Sequence, residues 1–290
     1  MLIFYTNQIE VFLSFLLPKK SITAFPIYSE LVNMFPLAFL VQGIVEENAN
    51  SDEPVVESPS YLGFQSPHSV ALLFGTLFCA GFAAFQKQLF PTPLMKLAGH
   101  FYFYPTLPFS IMRNFPHHWA IIDDVVIMGG APVAMLGHVE ALYQMGVRRV
   151  VNLCDEYRGP TQRYKDLGMQ MLWLPTIDHY EPSLSSMEAA VSFIADAADK
   201  GERVYVHCKA GHGRSAAIAL VWMVFANPEM DVDSLHQIMM AKRKVRRHLN
   251  KQPNVNEFFR RNKERQKKEI QSEVDEDDSP GPTHKVPAEH

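Results

Sequence analysis

A β-branched run, a glycine-containing loop and a long apolar run follow one another between residues 203 and 225. Arg203–Val206 predicts a buried strand, and Ser215–Phe225 predicts an apolar helix. Two further strands are expected at Arg148–Cys154 and Met169–Leu174, with helical periodicity between the strands. Strands that alternate with helices indicate an α/β fold, in which helices flank a central, mostly parallel sheet. Additional helices are predicted at 137–145, 185–199, 232–246 and 254–267.

The chain divides into three segments of unlike composition. Residues 98–268 hold the α/β pattern and are expected to form a single domain, whereas residues 1–97 form an apolar N-terminal extension. Residues 269–290 carry seven acidic residues and one basic residue, which predicts a disordered acidic tail. A hydrophobic fraction of 47% and a charged fraction of 20% exclude a fully disordered, collagen-like or coiled-coil protein.

Within the extension, residues 69–85 carry no charge. Crossing a bilayer takes about 20 apolar residues, with a lower limit near 17. This stretch is therefore compatible both with a membrane segment and with a buried or re-entrant hairpin.

The loop before the helix predicted at 215–225 contains Cys208 and Arg214, with five residues between them. Backbone N–H groups of such a loop converge on one anion, and the N-terminus of the following helix adds its positive dipole end. Gly211 and Gly213 permit the backbone torsions that point these amides inward. The pattern therefore predicts a phosphate-binding cradle. Its expected binding residues are Lys209, Ala210, Gly211, His212 and Gly213.

Cys208 is the predicted nucleophile of this cradle. The chain has three cysteines, too few for a disulfide framework, which favours a reducing compartment. A helix N-terminus and nearby cations lower the pKa of a thiol, and the thiolate can attack phosphorus to form a phosphocysteine. Arg214 can hold two phosphate oxygens with its planar fork, and Ser215 can donate a hydrogen bond to the sulfur. An inert buried cysteine is the alternative.

The leaving alkoxide needs a proton, and Asp178 is the predicted general acid. Asp178 lies in a turn-rich loop, residues 175–183, that follows the strand predicted at Met169–Leu174. A helix N-cap is the alternative role for Asp178, and Glu181 is the alternative acid.

Four short motifs lie within residues 98–262. They are Phe103-Tyr-Pro-Thr-Leu107 ahead of Ile127-Met-Gly-Gly-Ala-Pro132, Asn152-x-x-Asp155-Glu156-Tyr157, Pro175-Thr-x-Asp178 with Pro182-Ser183, and His207-Cys-Lys-Ala-Gly211. Together they resemble the cysteine-dependent dual-specificity phosphatases, and within that family the branch of mitochondrial phosphatidylglycerophosphate phosphatases. The resemblance implies that Asp155, Glu156 and Tyr157 help to form the substrate pocket. This chain departs from the branch at His212, where Arg is usual, and at Asp155, which replaces Glu.

The resemblance implies an enzyme, a phosphomonoesterase that needs no metal ion and no cofactor. The implied reaction removes the terminal phosphate of phosphatidylglycerophosphate in cardiolipin synthesis, at the mitochondrial inner membrane or another organelle membrane. A dual-specificity protein phosphatase acting on phosphotyrosine, phosphoserine or phosphothreonine remains the alternative, because the pocket walls set the substrate. A non-catalytic phosphate-binding membrane scaffold is a remote alternative, since Cys208, Arg214 and Asp178 are all present.

Residues 242–268 carry twelve basic residues and two acidic ones. Such a cluster can bind an anionic membrane surface, and a solvated helix face is the alternative. Nucleic acid is not expected as a partner, because Phe258 and Phe259 are the only aromatic residues interleaved with the cluster and both are expected in the core.

Overall fold

The computed structural model describes residues 67–277, and the rest of the predicted extension and tail lies outside the described residues. The strands are β1 (Trp119–Ile121), β2 (Val126–Gly129), β3 (Val147–Cys154), β4 (Gln170–Thr176) and β5 (Arg203–His207). The helices are α1 (Pro67–Gln86), α2 (Thr92–Asn114), α3 (His138–Gln144), α4 (Thr161–Asp166), α5 (Leu184–Asp199), α6 (Arg214–Ala226), α7 (Val232–Lys242) and α8 (Pro253–Asp277).

The five strands form one sheet in the order β1-β2-β5-β3-β4. β1 is antiparallel to β2, and the other three pairings are parallel, which confirms the predicted mostly parallel sheet. Asn152 pairs with His207, and Cys154 pairs with Thr176. The carboxyl ends of β3, β4 and β5 therefore meet at one edge, where the residues that follow each strand come together.

The main core is built around α6. Every residue from Arg214 to Val224 is buried, because one side of the helix packs on the sheet while α5, α7 and α8 cover the rest. Alternate strand residues face the other side of the sheet, where Ile127, Val150 and Tyr205 pack with α3 and α4 in a smaller core. Helices thus flank both faces of the sheet, as the sequence predicts.

α1 and α2 pack together as a helical hairpin with its own small apolar cluster around Phe85, Met95 and Tyr102. The Tyr102 hydroxyl donates to the carbonyl oxygen of Phe78 (3.2 Å). A Cβ on Gly81 would lie 2.5 Å from this hydroxyl, so the glycine leaves room for the Tyr102 side chain between the two helices.

The uncharged stretch 69–85 lies within α1. Of the helices between residues 67 and 277, none is long and apolar enough to cross a membrane. Leu72, Phe74 and Leu77 are exposed on α1, whereas Phe85 is buried, so the helix packs on the domain at its C-terminal end.

The C-terminal region differs from the prediction in two places. α8 continues to Asp277, whereas the sequence predicts a disordered tail from residue 269. This segment is rich in Glu and Gln, which favour helix, and after Pro253 no proline or glycine occurs before Pro280. α7 ends at Lys242 instead of residue 246, because the backbone of Arg243 is extended (φ −153°, ψ 142°) and its side chain turns toward the loop after β5.

Candidate active site

The loop between β5 and α6 wraps around the sulfur of Cys208. The backbone N–H of Gly211 donates to Cys208 Sγ (3.3 Å), and Ser215 Oγ lies 3.3 Å from the same sulfur. Gly211 has a φ of +75°, and a Cβ there would lie 2.5 Å from the carbonyl carbon of Gly129. Glycine alone fits this close approach, so the loop has the tight turn that an amide cradle requires.

Cys208 is buried just ahead of the N-terminus of α6. Burial by itself would raise the pKa of its thiol, but the guanidinium of Arg214 and hydrogen bonds from Ser215 outweigh burial and hold the pKa below its ordinary value. At the other buried cysteine, Cys154, burial raises the pKa well above its ordinary value. The two environments single out Cys208 as the cysteine whose thiolate is favoured.

Two carboxylates hold the buried guanidinium of Arg214. Its Nη1 and Nη2 atoms donate to the two carboxylate oxygens of Glu156 at 2.9 and 2.7 Å. Nη2 also lies 2.9 Å from Asp178 Oδ1, and Nη1 donates to the carbonyl oxygen of Thr176 (2.8 Å). These partners stabilise the buried charge and hold the planar fork in one orientation.

Asp178 lies in the loop after β4 and points at the cradle. Burial would raise the pKa of Asp178, but the positive charges of Arg214, His179 and Lys209 hold it below its ordinary value. Asp178 Oδ1 also accepts the backbone N–H of His179 (3.0 Å). The carboxyl group is therefore ionised, and a bound phosphate would compete with it for the Arg214 guanidinium.

Glu181, the alternative acid, is directed elsewhere. Its Oε1 atom accepts the backbone N–H groups of Asn254 (2.8 Å) and Val255 (3.1 Å) at the start of α8. Glu181 does not line the pocket above the cradle, so its position suits a helix cap rather than proton transfer to a substrate there.

α2 braces the cradle through contacts that the sequence does not reveal. Lys209 Nζ donates to the carbonyl oxygen of Tyr102 (3.1 Å) and to Thr106 Oγ1 (2.5 Å). Asn114 Nδ2 donates to the carbonyl oxygen of Ala210 (2.9 Å). Because these partners lie about a hundred positions apart in the chain, no local sequence pattern could identify them.

Arg243 braces the same loop from the other side. Its Nε and Nη2 atoms donate to the carbonyl oxygens of Gly211 (3.0 Å) and Ala210 (3.2 Å), and Nη1 donates to that of His117 (3.1 Å). The side chain is buried, so Arg243 belongs neither to a solvated helix face nor to an exposed basic surface. In the sequence Arg243 is one of several adjacent basic residues, so nothing there distinguishes it as a partner of the cradle.

His212 lies on the wall of the pocket, where the family branch usually has Arg. Its Nε2 atom is 3.0 Å from Asn114 Oδ1 and its Nδ1 atom is 2.5 Å from the carbonyl oxygen of Lys244. Burial lowers the pKa of His212, and the nearby cations Arg243 and Arg113 lower it further. A neutral ring can donate one hydrogen bond, to one of these two oxygens. His212 therefore links the cradle to Asn114 and Lys244 and does not supply a fixed positive charge.

The three residues of the predicted acidic-Tyr motif separate in the structure. Glu156 binds Arg214, whereas Asp155 pairs with Lys96 (3.3 Å). The Tyr157 hydroxyl donates to the carbonyl oxygen of Pro132 (2.8 Å). Asp155 and Tyr157 line a neighbouring pocket, not the one above Cys208. A direct contact of Asp155 or Tyr157 with substrate therefore stays a prediction.

A pocket of about 330 Å³ opens above Cys208, within the range of small-molecule sites. Its floor is the cradle, and Asp178 stands at one side. The opposite wall comes from α1 and α2, which contribute Phe82, Gln86, Phe109, Ser110 and Arg113. The N-terminal hairpin therefore completes the pocket.

Replacing Glu156 by glutamine is expected to weaken phosphate binding by about tenfold, because the amide can no longer hold the Arg214 fork with two charged oxygens. Breaking a buried ion pair costs up to about 3–5 kcal/mol, so the free energy of unfolding should fall as well. The measurements are inhibition by inorganic phosphate and urea unfolding, with Asp155→Asn as the matched control. A variant that keeps wild-type inhibition by phosphate would contradict the positioning role.

Comparison with known proteins identifies the family. The catalytic domain of the dual specificity phosphatases matches residues 126–261. The chain is 30% identical over 174 residues to phosphatidylglycerophosphate phosphatase PTPMT2 of Arabidopsis thaliana, across 58% of this chain and 75% of that protein. It is 31% identical over 134 residues to human phosphatidylglycerophosphatase and protein-tyrosine phosphatase 1, across 42% of this chain and 66% of that protein. The crystal structure of PTPMT1 aligns with a TM-score of 0.46 and 24% identity, covering 52% of this chain and 99% of that chain.

The matched segment 126–261 contains Cys208, Arg214 and Asp178, whereas α1 and α2 precede it. The geometry of the cradle and the sequence matches indicate the same protein family. The chain belongs to the family of cysteine-dependent dual specificity phosphatases that includes the phosphatidylglycerophosphate phosphatases.

Proposed function

We propose that the protein removes the terminal phosphate of phosphatidylglycerophosphate through a phosphocysteine intermediate. The observation that carries this proposal is the cluster of Cys208, Arg214 and Asp178 around one amide cradle, with Asp178 2.9 Å from the guanidinium. In it Cys208 is the nucleophile, Arg214 binds the phosphate oxygens, and Asp178 is the general acid. Ser215 donates a hydrogen bond that stabilises the thiolate.

The reaction has two steps. The Cys208 thiolate attacks phosphorus, the bond from phosphorus to the glycerol oxygen breaks, and Asp178 protonates the departing alkoxide. Water then attacks the phosphocysteine, the Asp178 carboxylate takes its proton, and the thiolate leaves with inorganic phosphate as the product. Neither step draws on a metal ion or a cofactor.

Substrate binding itself prepares the acid. The phosphate dianion takes over the guanidinium of Arg214, which otherwise pairs with Asp178. Loss of this partner and the added negative charge both raise the pKa of a carboxyl group. Asp178 thus gains its proton when a substrate occupies the cradle.

An exposed apolar stripe on α2 supports a lipid substrate. At helical spacing it presents Leu94, Leu97, Phe101, Tyr104 and Met112, and the exposed Phe115 follows directly after the helix ends at Asn114. The opposite face of α2 packs on the domain through Met95, Tyr102 and Phe103. Because α2 also forms a wall of the active-site pocket, a bilayer that covers the α2 stripe would bring lipid headgroups to the pocket.

The basic segment 242–268 supports an anionic membrane surface as the partner, since Lys244 is exposed and its backbone contacts His212 of the cradle. Phe258 is buried and Phe259 packs against the core, as expected from the sequence. Location at a mitochondrial membrane is part of the proposal and rests on the family resemblance in the sequence.

The test is phosphate release by the full chain from phosphatidylglycerophosphate in mixed micelles, compared with a phosphotyrosine peptide. We expect kcat/KM for the lipid to be higher by about a hundredfold or more, because the pocket walls decide between the two substrates. The Cys208→Ser protein is the negative control for phosphate release. A preference for the peptide would keep the cysteine mechanism and overturn the lipid substrate, whereas no release from either would overturn both.

A further inference from the structure

Two arginines line the active-site pocket, and neither pairs with a carboxylate in the part of the chain that the structure describes. Arg113 lies in the last turn of α2, and Arg246 lies in the segment that follows α7. Across residues 67–277, neither guanidinium forms an ion pair, although many other arginines of the domain do. Unpaired guanidinium groups beside a phosphate cradle are available to bind a further anion.

Arg246 lies between the acid loop and the cradle. Its Nη1 atom donates to the carbonyl oxygen of His179 (3.3 Å), and its backbone N–H donates to that of His212 (2.9 Å). Its Nη2 atom is 3.4 Å from the position that a Cβ on Gly213 would occupy. The guanidinium therefore lies directly beside the amides that surround Cys208, and an anion bound to it would be a close neighbour of a phosphate in the cradle.

The positive charge of the pocket exceeds what one phosphate monoester needs. Arg214, Lys209, Arg113 and Arg246 line it, and Asp178 is the single acidic residue among the described residues that do so. A monoester dianion in the cradle is matched by Arg214 and the loop amides. Lys209 is already bound to α2. The guanidinium groups of Arg113 and Arg246 therefore remain for a further anion, and an arginine fork binds phosphate oxygens well.

We propose that Arg113 and Arg246 form a second anion subsite, which binds the phosphodiester of the substrate while the monoester lies in the cradle. This inference rests on the proposed lipid phosphatase function. In phosphatidylglycerophosphate one glycerol unit joins the two phosphates, so the diester lies just outside the cradle. Phe82 and Phe109 provide apolar contacts in the same pocket, on the helices that carry the exposed apolar surface. A phosphomonoester without the diester leaves both arginines unpaired.

Two water-soluble headgroups test the subsite without any contribution from membrane binding. Glycerophosphoglycerophosphate carries the monoester and the diester, whereas glycerol 3-phosphate carries the monoester alone. We expect the wild-type full chain to prefer the first in kcat/KM, because charge-assisted hydrogen bonds from two arginines contribute about tenfold each. The double variant Arg113→Gln/Arg246→Gln should lose most of this preference.

The matched control is Lys87→Gln/Lys165→Gln, which removes two positive charges from exposed positions outside the pocket. It should keep the wild-type ratio of the two kcat/KM values. Should the double variant fail to fold, Arg113→Gln alone serves, because Arg113 is exposed and makes no hydrogen bond within the described part of the chain. Its expected result is a fall in the ratio of about tenfold.

Equal losses on both headgroups would show general electrostatic attraction and overturn the subsite, and so would an unchanged ratio. In both cases hydrolysis of phosphatidylglycerophosphate by the wild type would leave the proposed function standing. If the wild type instead prefers the phosphotyrosine peptide to the lipid, the proposed function fails, and the subsite for a phosphodiester fails with it.

Discussion

Replacing Cys208 by serine is expected to abolish turnover while phosphate binding survives. A serine hydroxyl is not ionised under conditions in which the Cys208 thiolate is favoured, and loss of a catalytic nucleophile costs at least about 10⁴-fold in rate. The cradle amides, Arg214 and Ser215 remain in place, so inorganic phosphate should still bind. The measurements are phosphate release from phosphatidylglycerophosphate and calorimetric titration with inorganic phosphate.

The matched control for this result is Cys79→Ser. Cys79 is exposed on α1 and does not line the pocket, so its replacement should leave both turnover and inactivation by iodoacetamide unchanged. Because the pKa of Cys208 lies below its ordinary value, inactivation should persist at a pH where an ordinary thiol is protonated and unreactive. Measurable phosphate release by Cys208→Ser would contradict a phosphocysteine intermediate.

The second large effect is a loss that depends on the leaving group. Asp178→Asn cannot protonate an alkoxide, so we expect a fall of about 10²–10⁴-fold in kcat for a glycerol leaving group. Nitrophenolate is stable without a proton, so hydrolysis of p-nitrophenyl phosphate should fall much less. The measurement is kcat on both substrates for the wild type and the variant.

Glu181→Gln is the matched control for Asp178→Asn. Glu181 binds the backbone at the start of α8 and lies outside the pocket. Its replacement should affect stability and leave the ratio of the two activities unchanged. Equal losses of Asp178→Asn on glycerol and nitrophenyl esters would mean that Asp178 only positions Arg214 and that another group is the acid.

The candidate catalytic residues were readable from the sequence because the cradle is local. Cys208, Arg214 and Ser215 lie within one strand-loop-helix unit, in which short-range backbone geometry determines the direction of each group. Asp178 could be predicted for a related reason, since it follows a strand whose carboxyl end lies at the same edge of a parallel sheet. The alternation of apolar runs was sufficient to predict that sheet and the buried helix α6.

Other features depended on contacts between distant segments. The sequence placed Glu156 in a substrate loop, and the tertiary structure brings it to Arg214, 58 positions along the chain. It also buries Arg243 beneath the cradle and closes the pocket with α1 and α2. At the C-terminus, acidic composition suggested disorder, but Glu269, Gln271, Glu273 and Glu276 favour helix and α8 continues to Asp277.

The sequence by itself therefore determined the α/β fold and the residues that can carry out phosphate chemistry. Hydrophobic periodicity and a contiguous loop encode these features locally. The tertiary structure decided which partners hold Arg214, what braces the cradle and which walls face the substrate. Those choices depend on side-chain packing between segments up to about a hundred residues apart, and a single sequence does not state which of its many charged residues will meet there.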